Sequence, residues 1–104
     1  MSFKDTVDVL QEFLGNRSIL IQVDPRVYVI HFGNTSLRVQ LLRGGEIAYT
    51  CHVHSLSKPM EIPDVEDESQ WETLPSDLQE LCDSAEGEAQ IREEERVLRE
   101  TEVR

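Results

Sequence analysis

The stretch that decides the fold is residues 18–54, SILIQVDPRVYVIHFGNTSLRVQLLRGGEIAYTCHVH, in which apolar and polar side chains alternate along the chain. The alternation forms four runs, at residues 18–23, 26–32, 36–42 and 46–54. Three turn-forming dipeptides separate the runs: Asp24-Pro25, Gly33-Asn34 and Gly44-Gly45. Because such short connections join antiparallel neighbours, this stretch predicts a four-stranded antiparallel meander.

The register of the meander follows from the side chains that must share one apolar face. Two-residue turns at 24–25 and 33–34 place nine apolar side chains together: Ile19, Ile21, Val23, Tyr28, Ile30, Phe32, Leu37, Val39 and Leu41. A two-residue turn at 44–45 would place Ala48, Thr50, His52 and His54 of the last run on this apolar face, which is unfavourable. A three-residue turn with a glycine in the left-handed region instead brings Ile47, Tyr49, Cys51 and Val53 there, and we predict that turn.

Residues 2–14 predict a helix with one apolar stripe, formed by Phe3, Val7, Leu10 and Leu14. Ser2 is the expected N-terminal cap, and Gly15-Asn16 is the stop signal. Since an apolar helix stripe and an apolar sheet face bury each other, the sequence predicts an α+β fold with this helix packed on the meander.

The opposite sheet face is expected to be mixed rather than polar. Leu20, Val27 and Val29 give it an apolar spot near the first hairpin. In antiparallel sheets with one buried and one solvated face, apolar and polar side chains usually alternate more regularly along each strand. We therefore expect the C-terminal segment or another chain to cover this face.

The formal charge of −11 is distributed very unevenly. Residues 1–60 carry five acidic and six basic side chains, so the excess of acids lies almost wholly in the remaining 44 residues. Binding to phosphate backbones or anionic membranes requires a basic surface, and the sequence has no cluster of Lys or Arg. These charges argue against direct contact with nucleic acid or membrane, and they suit a basic protein partner.

The location of the protein is also suggested by the sequence. No apolar run approaches the length of a membrane span, and the N-terminus lacks the pattern of a signal peptide. We expect a cytoplasmic or nuclear protein that is not secreted, in which Cys51 and Cys82 are free thiols.

The chain divides into three parts by composition. Residues 1–56 form a compact α+β body, residues 57–75 an extended acidic and proline-containing linker, and residues 76–104 an acidic helical arm that is partly disordered. A short helix capped by Ser76 is expected to begin the arm, followed by a solvated helix from residue 84.

Three histidines are the main candidates for chemistry. His31, His52 and His54 are expected on one sheet face, with His31 two strands and about 10 Å of backbone away from His52. That separation is long for two ligands of one metal ion. Cys51 is expected to be buried in the apolar face, and Cys82 lies beside Glu80 and Asp83, which would raise its pKa. The carboxylates lie mostly in the arm, so we predict no cofactor and no enzymatic activity.

The leading hypothesis is a non-enzymatic protein–protein interaction module, such as an adaptor or a small subunit of a complex. Its partner would be another protein or a second copy of the chain. In the second case the protein would be a dimer. The alternatives are an acidic chaperone or inhibitor of a basic, for example nucleic-acid-binding, protein, and a metal-binding sensor or enzyme that uses the strand histidines. The predicted partner-binding side chains are Trp71, Leu74, Leu78, Leu81, Leu20, Val27 and Val29. For Trp71, folding back over the mixed sheet face is an equal alternative.

Overall fold

The computed structural model describes residues 3–55 and 62–102. Helix α1 (Phe3–Leu14) precedes a four-stranded antiparallel sheet with the strand order β1-β2-β3-β4. The strands are β1 (Ile19–Asp24), β2 (Val27–Phe32), β3 (Thr35–Leu41) and β4 (Ile47–Val53). A short 3-10 turn (Glu68–Gln70) and helix α2 (Ser76–Glu102) complete the chain. The predicted α+β class is confirmed. The expected cap Ser2 and residues 57–61 of the predicted linker lie outside the described residues.

The register of β2, β3 and β4 agrees with the prediction. Tyr28 pairs with Val39, which pairs with Tyr49, so these side chains share the face that we call the inner face. Gly33 adopts φ 57° in the two-residue turn between β2 and β3. Gly45 adopts φ 88° at the end of the three-residue turn before β4, which confirms that turn.

The predicted register of β1 is wrong. The turn after β1 comprises Pro25 and Arg26 rather than residues 24–25, and the pairing shifts between Gln22 and Asp24. Leu20 therefore pairs with Ile30 on the inner face, whereas Ile19 and Ile21 lie on the opposite, outer face. The shift is physically permitted because both alternating sets of this strand contain aliphatic side chains, so the pattern alone does not choose between them.

Both helices cover the inner face. Val7 and Leu10 of α1 pack with Ile30 and Leu37 of the sheet, as the helix stripe predicted. Helix α2 adds three small, fully buried side chains to the same core: Cys82, Ala85 and Ala89. The expected break near residue 84 is absent, since α2 is one continuous helix of 27 residues.

The outer face is covered by residues 62–73, which we call the strap. Pro63 and Trp71 of the strap are buried, and so are Val27 and Val29 beneath it. The strap ends in an antiparallel bridge between Glu72 and Cys51 at the free edge of β4. The chain thus crosses from the outer face to the inner face around this edge, and α2 begins directly afterwards.

No helix in the described part of the chain is both long and apolar enough to cross a membrane. Helix α2 has the length, but glutamate and arginine side chains recur along it.

Candidate functional site

A cluster of one serine and three histidines lies on the outer face. The strand pairing aligns His31 of β2, Ser36 of β3 and His52 of β4 across the sheet, as the sequence predicted. Ser36 Oγ lies 2.7 Å from His31 Nδ1 and 2.6 Å from His54 Nε2. Since a hydroxyl group has one proton, Ser36 can donate to one neutral ring while it accepts from the other. His31, Ser36 and His54 are all buried.

The rings of the cluster are close enough to affect one another's protonation. The centroids of His52 and His54 are 4.9 Å apart, and those of His31 and His54 are 5.7 Å apart. Burial lowers the pKa of His31, and the neighbouring His54 lowers it further. Burial likewise lowers the pKa of His54, with a further contribution from His52. The environment therefore favours neutral imidazoles at His31 and His54.

The cluster has part of the geometry of a nucleophile and its base, because Ser36 Oγ is within hydrogen-bond reach of His54 Nε2. However, Ser36 has no exposed surface in the folded chain, so its hydroxyl is not accessible to a substrate in this structure. Among the residues that the structure describes, no group of three or more His, Cys, Asp or Glu side chains could hold a metal ion.

Arg38 and Trp71 attach the strap to the sheet. The Arg38 guanidinium donates to Thr50 Oγ1 and to the carbonyl oxygen of Val65, and its central carbon lies 5.0 Å from the Trp71 ring centroid. Trp71 Nε1 donates to the carbonyl oxygen of Asp64. Burial lowers the pKa of Arg38, while nearby Glu68 opposes that effect. The strap is therefore held by partly buried hydrogen bonds and by a cation–π contact between Arg38 and Trp71.

Most of the predicted partner-binding side chains pack within the protein itself. Trp71 folds back over the outer face, with only 7% of its surface exposed, and Val29 is fully buried beneath the strap. Leu20 was expected on the outer face but lies on the inner face. Val27 is also buried on the outer face. The other three side chains are half-buried on the chain that leads into and begins α2: Leu74, Leu78 and Leu81.

A groove of about 830 Å³ opens beside the strap, at the end of the sheet where two hairpin turns meet. Three arginines and three acids are among its lining residues: Arg26, Arg38, Arg43, Asp24, Glu66 and Glu68. The formal charges of these six side chains cancel, so the groove does not select an anion over a cation.

The sequence reasoning missed the surface at the edge of β1. Ile19 is 60% exposed and Val23 is 46% exposed, and Ile21 between them is half-buried on the same strand. β1 is the first strand of the sheet and pairs only with β2, so its other edge faces outward. Within the described part of the chain, no backbone hydrogen bond joins that edge to another segment. The uncharged, aliphatic run of residues 18–23 indicated such a surface, but the wrong register of β1 assigned Ile19, Ile21 and Val23 to the core.

Comparison with known proteins gives no relative. No protein-family model, no curated protein and no solved structure matches this chain.

Proposed function

We propose that the protein is a non-enzymatic protein–protein interaction module that binds an extended partner segment along the edge of β1. The observation that carries this proposal is the exposed edge of β1 together with the aliphatic side chains Ile19 and Val23. An edge strand presents unpaired backbone N–H and C=O groups, which can form a ladder with an incoming strand.

The contrast between the two edges of the sheet supports this location. The edge of β4 is occupied in part by the bridge between Cys51 and Glu72. Proteins commonly protect an edge strand with a charged side chain or a proline within it. Residues 18–23 contain neither: the charged residue of β1, Asp24, is its last residue, and Pro25 lies in the turn that follows.

The covering of both sheet faces also supports the edge as the binding surface. The helices occupy the inner face, and the strap occupies the outer face. A partner that docked on Val27 and Val29, as the sequence suggested, would first have to displace the strap. A partner at β1 requires no such rearrangement.

The proposal is tested by affinity capture from source lysate with the full chain and two variants. Ile19→Lys places a charge on the β1 edge, at a position where the side chain is already 60% exposed. Val53→Lys is the matched control, because Val53 on β4 is 59% exposed. We expect a partner that is retained by the wild type and by Val53→Lys and lost with Ile19→Lys.

Two further conditions make the result specific. The captured partner must bind the purified chain directly, and circular dichroism must show that both variants keep the wild-type fold. A partner that binds all three proteins equally, or a wild-type chain that captures nothing and remains a monomer, would overturn the proposal.

A further inference from the structure

We infer that one occupant of the β1 edge is a second copy of this chain, paired antiparallel through β1 so that the two sheets form one eight-stranded sheet. This inference rests on the proposed use of β1 as a binding edge and specifies its partner. Three features support it. Residues 18–23 are uncharged, the side chains of β1 are complementary to those of a second β1 in one antiparallel register, and opposite charges lie at the two ends of the strand.

Charge argues for this edge over other surfaces as a contact between copies. Each chain carries a formal charge of −11, so most surfaces of two copies repel each other. Residues 18–23 have no ionisable side chain. Two copies can therefore approach along β1 without placing like charges opposite one another.

The sequence of β1 is complementary to itself in one antiparallel register. A two-fold axis perpendicular to the sheet keeps outer-face side chains opposite outer-face side chains. When Leu20 lies opposite Leu20 of the other copy, Ile19 lies opposite Ile21 on the outer face, and this pair occurs twice. Cross-strand pairs of β-branched residues are among those that stabilise sheets.

The ends of the strand add opposite charges. Arg17 precedes β1, and Asp24 ends it. In the antiparallel register centred on Leu20, Arg17 of one copy comes next to Asp24 of the other. Within the described residues neither side chain forms an ion pair; Asp24 Oδ1 accepts a hydrogen bond from the Arg26 backbone N–H, which leaves its negative charge to attract Arg17 of the other copy.

The test is the mass of the full chain in solution, measured by light scattering over a concentration series. One strand pair is a small interface, so we expect dissociation in the micromolar to millimolar range. The mass should rise from 12.0 kDa towards twice that value as the concentration increases. Hydrogen exchange of the amides of Ile19–Asp24 should slow over the same range, because the new ladder protects them.

Two variants decide whether β1 forms the contact. Ile19→Lys should weaken dimerisation by about tenfold or more, since it places a charge in both Ile19–Ile21 pairs. Val53→Lys, at the other edge of the sheet, should dimerise like the wild type. A wild-type chain that stays monomeric throughout the series, or an equal effect of the two variants, would overturn the inference. A monomer that still captures an edge-dependent partner would leave the proposed function standing and reject the second copy.

Discussion

Ser36 Oγ and His54 Nε2 are joined by a 2.6 Å hydrogen bond on the outer face of the sheet. The bond connects β3 to the chain just beyond the end of β4, and it is continued by the contact of Ser36 with His31. His52 Nδ1 lies beside this pair and is buried without a hydrogen-bond partner among the described residues. The outer face therefore contains a polar cluster that is stable only in particular protonation states.

Acidification should destabilise the protein through His31 and His54. Their folded-state pKa values lie below the ordinary value of about 6.5, so the unfolded chain binds protons first as the pH falls. Their contribution to the free energy of unfolding is fully present above about pH 6.5 and decreases as the pH drops below it towards the folded-state pKa values. Urea unfolding between pH 8 and pH 5 measures this change.

The matched control for that titration replaces both rings by amides. His31→Asn and His54→Gln retain a polar atom near Nδ1 and Nε2, the two nitrogens that contact Ser36. The double variant should lose less stability than the wild type over the same pH interval. Parallel curves for the two proteins would show that the histidines are not the source of the pH dependence.

Ser36→Ala should lower the free energy of unfolding by about 1–3 kcal/mol, because it leaves two buried ring nitrogens without their shared partner. Denaturant unfolding at pH 7.5 measures the loss. Thr35→Ala on the same strand is the control, since among the described residues the Thr35 hydroxyl donates only to the exposed Asn34 Oδ1. Equal losses in the two variants would contradict a special role for the Ser36 hydroxyl.

Trp71→Ala should release the strap from the outer face. The substitution removes the largest side chain of the strap and its contact with Arg38, at a cost of about 3 kcal/mol. Hydrogen exchange should then show faster exchange in residues 62–73, with smaller changes in α1. Trp71→Phe keeps the aromatic ring and loses the hydrogen bond to Asp64, so its effect should be about 1 kcal/mol. Equal effects of both variants would argue against a packing role for the ring.

Both cysteines should be unreactive in the folded protein. Cys82 has no exposed surface, and burial together with Glu86 and Asp83 raises its pKa to about 12. Burial and Glu72 also raise the pKa of Cys51. A chromogenic disulfide reagent at pH 8 should therefore modify both thiols only as fast as the protein unfolds. Rapid modification without denaturant would contradict this packing.

Two substitutions in α2 should have opposite effects on stability. Ala85 is fully buried in the core that joins the helices to the sheet, so Ala85→Leu should destabilise by about 1–3 kcal/mol. Gly87 is exposed in the middle of α2, and an added Cβ would meet no atom within 4 Å. Gly87→Ala should stabilise by about 0.5–1 kcal/mol. Thermal unfolding of the two variants measures both changes in stability. If Ala85→Leu stabilised the protein, this part of α2 would not pack on the core.

The candidate site was predictable where short turns set the register. The turn at Gly33-Asn34 aligns His31 with Ser36, and the three-residue turn at Gly45 then aligns Ser36 with His52. The hydrogen bonds of Ser36 were not predictable, because they depend on the orientations of the His31 and His54 rings, which the strand pattern does not specify. The exposed edge of β1 was missed because an uncharged aliphatic strand is equally compatible with the core.

The sequence by itself determined the helix stripe of α1, the four strands, and the pairing from β2 to β4. These features follow from local turn geometry and from the regular alternation of apolar and polar side chains in β3 and β4. Only the tertiary structure decided the register of β1, where Leu20 rather than Ile19 or Ile21 enters the core. It also decided that the acidic C-terminal part packs on both faces, since the contacts of Trp71 and Cys82 join segments distant in the chain. No local pattern encodes contacts between such distant segments.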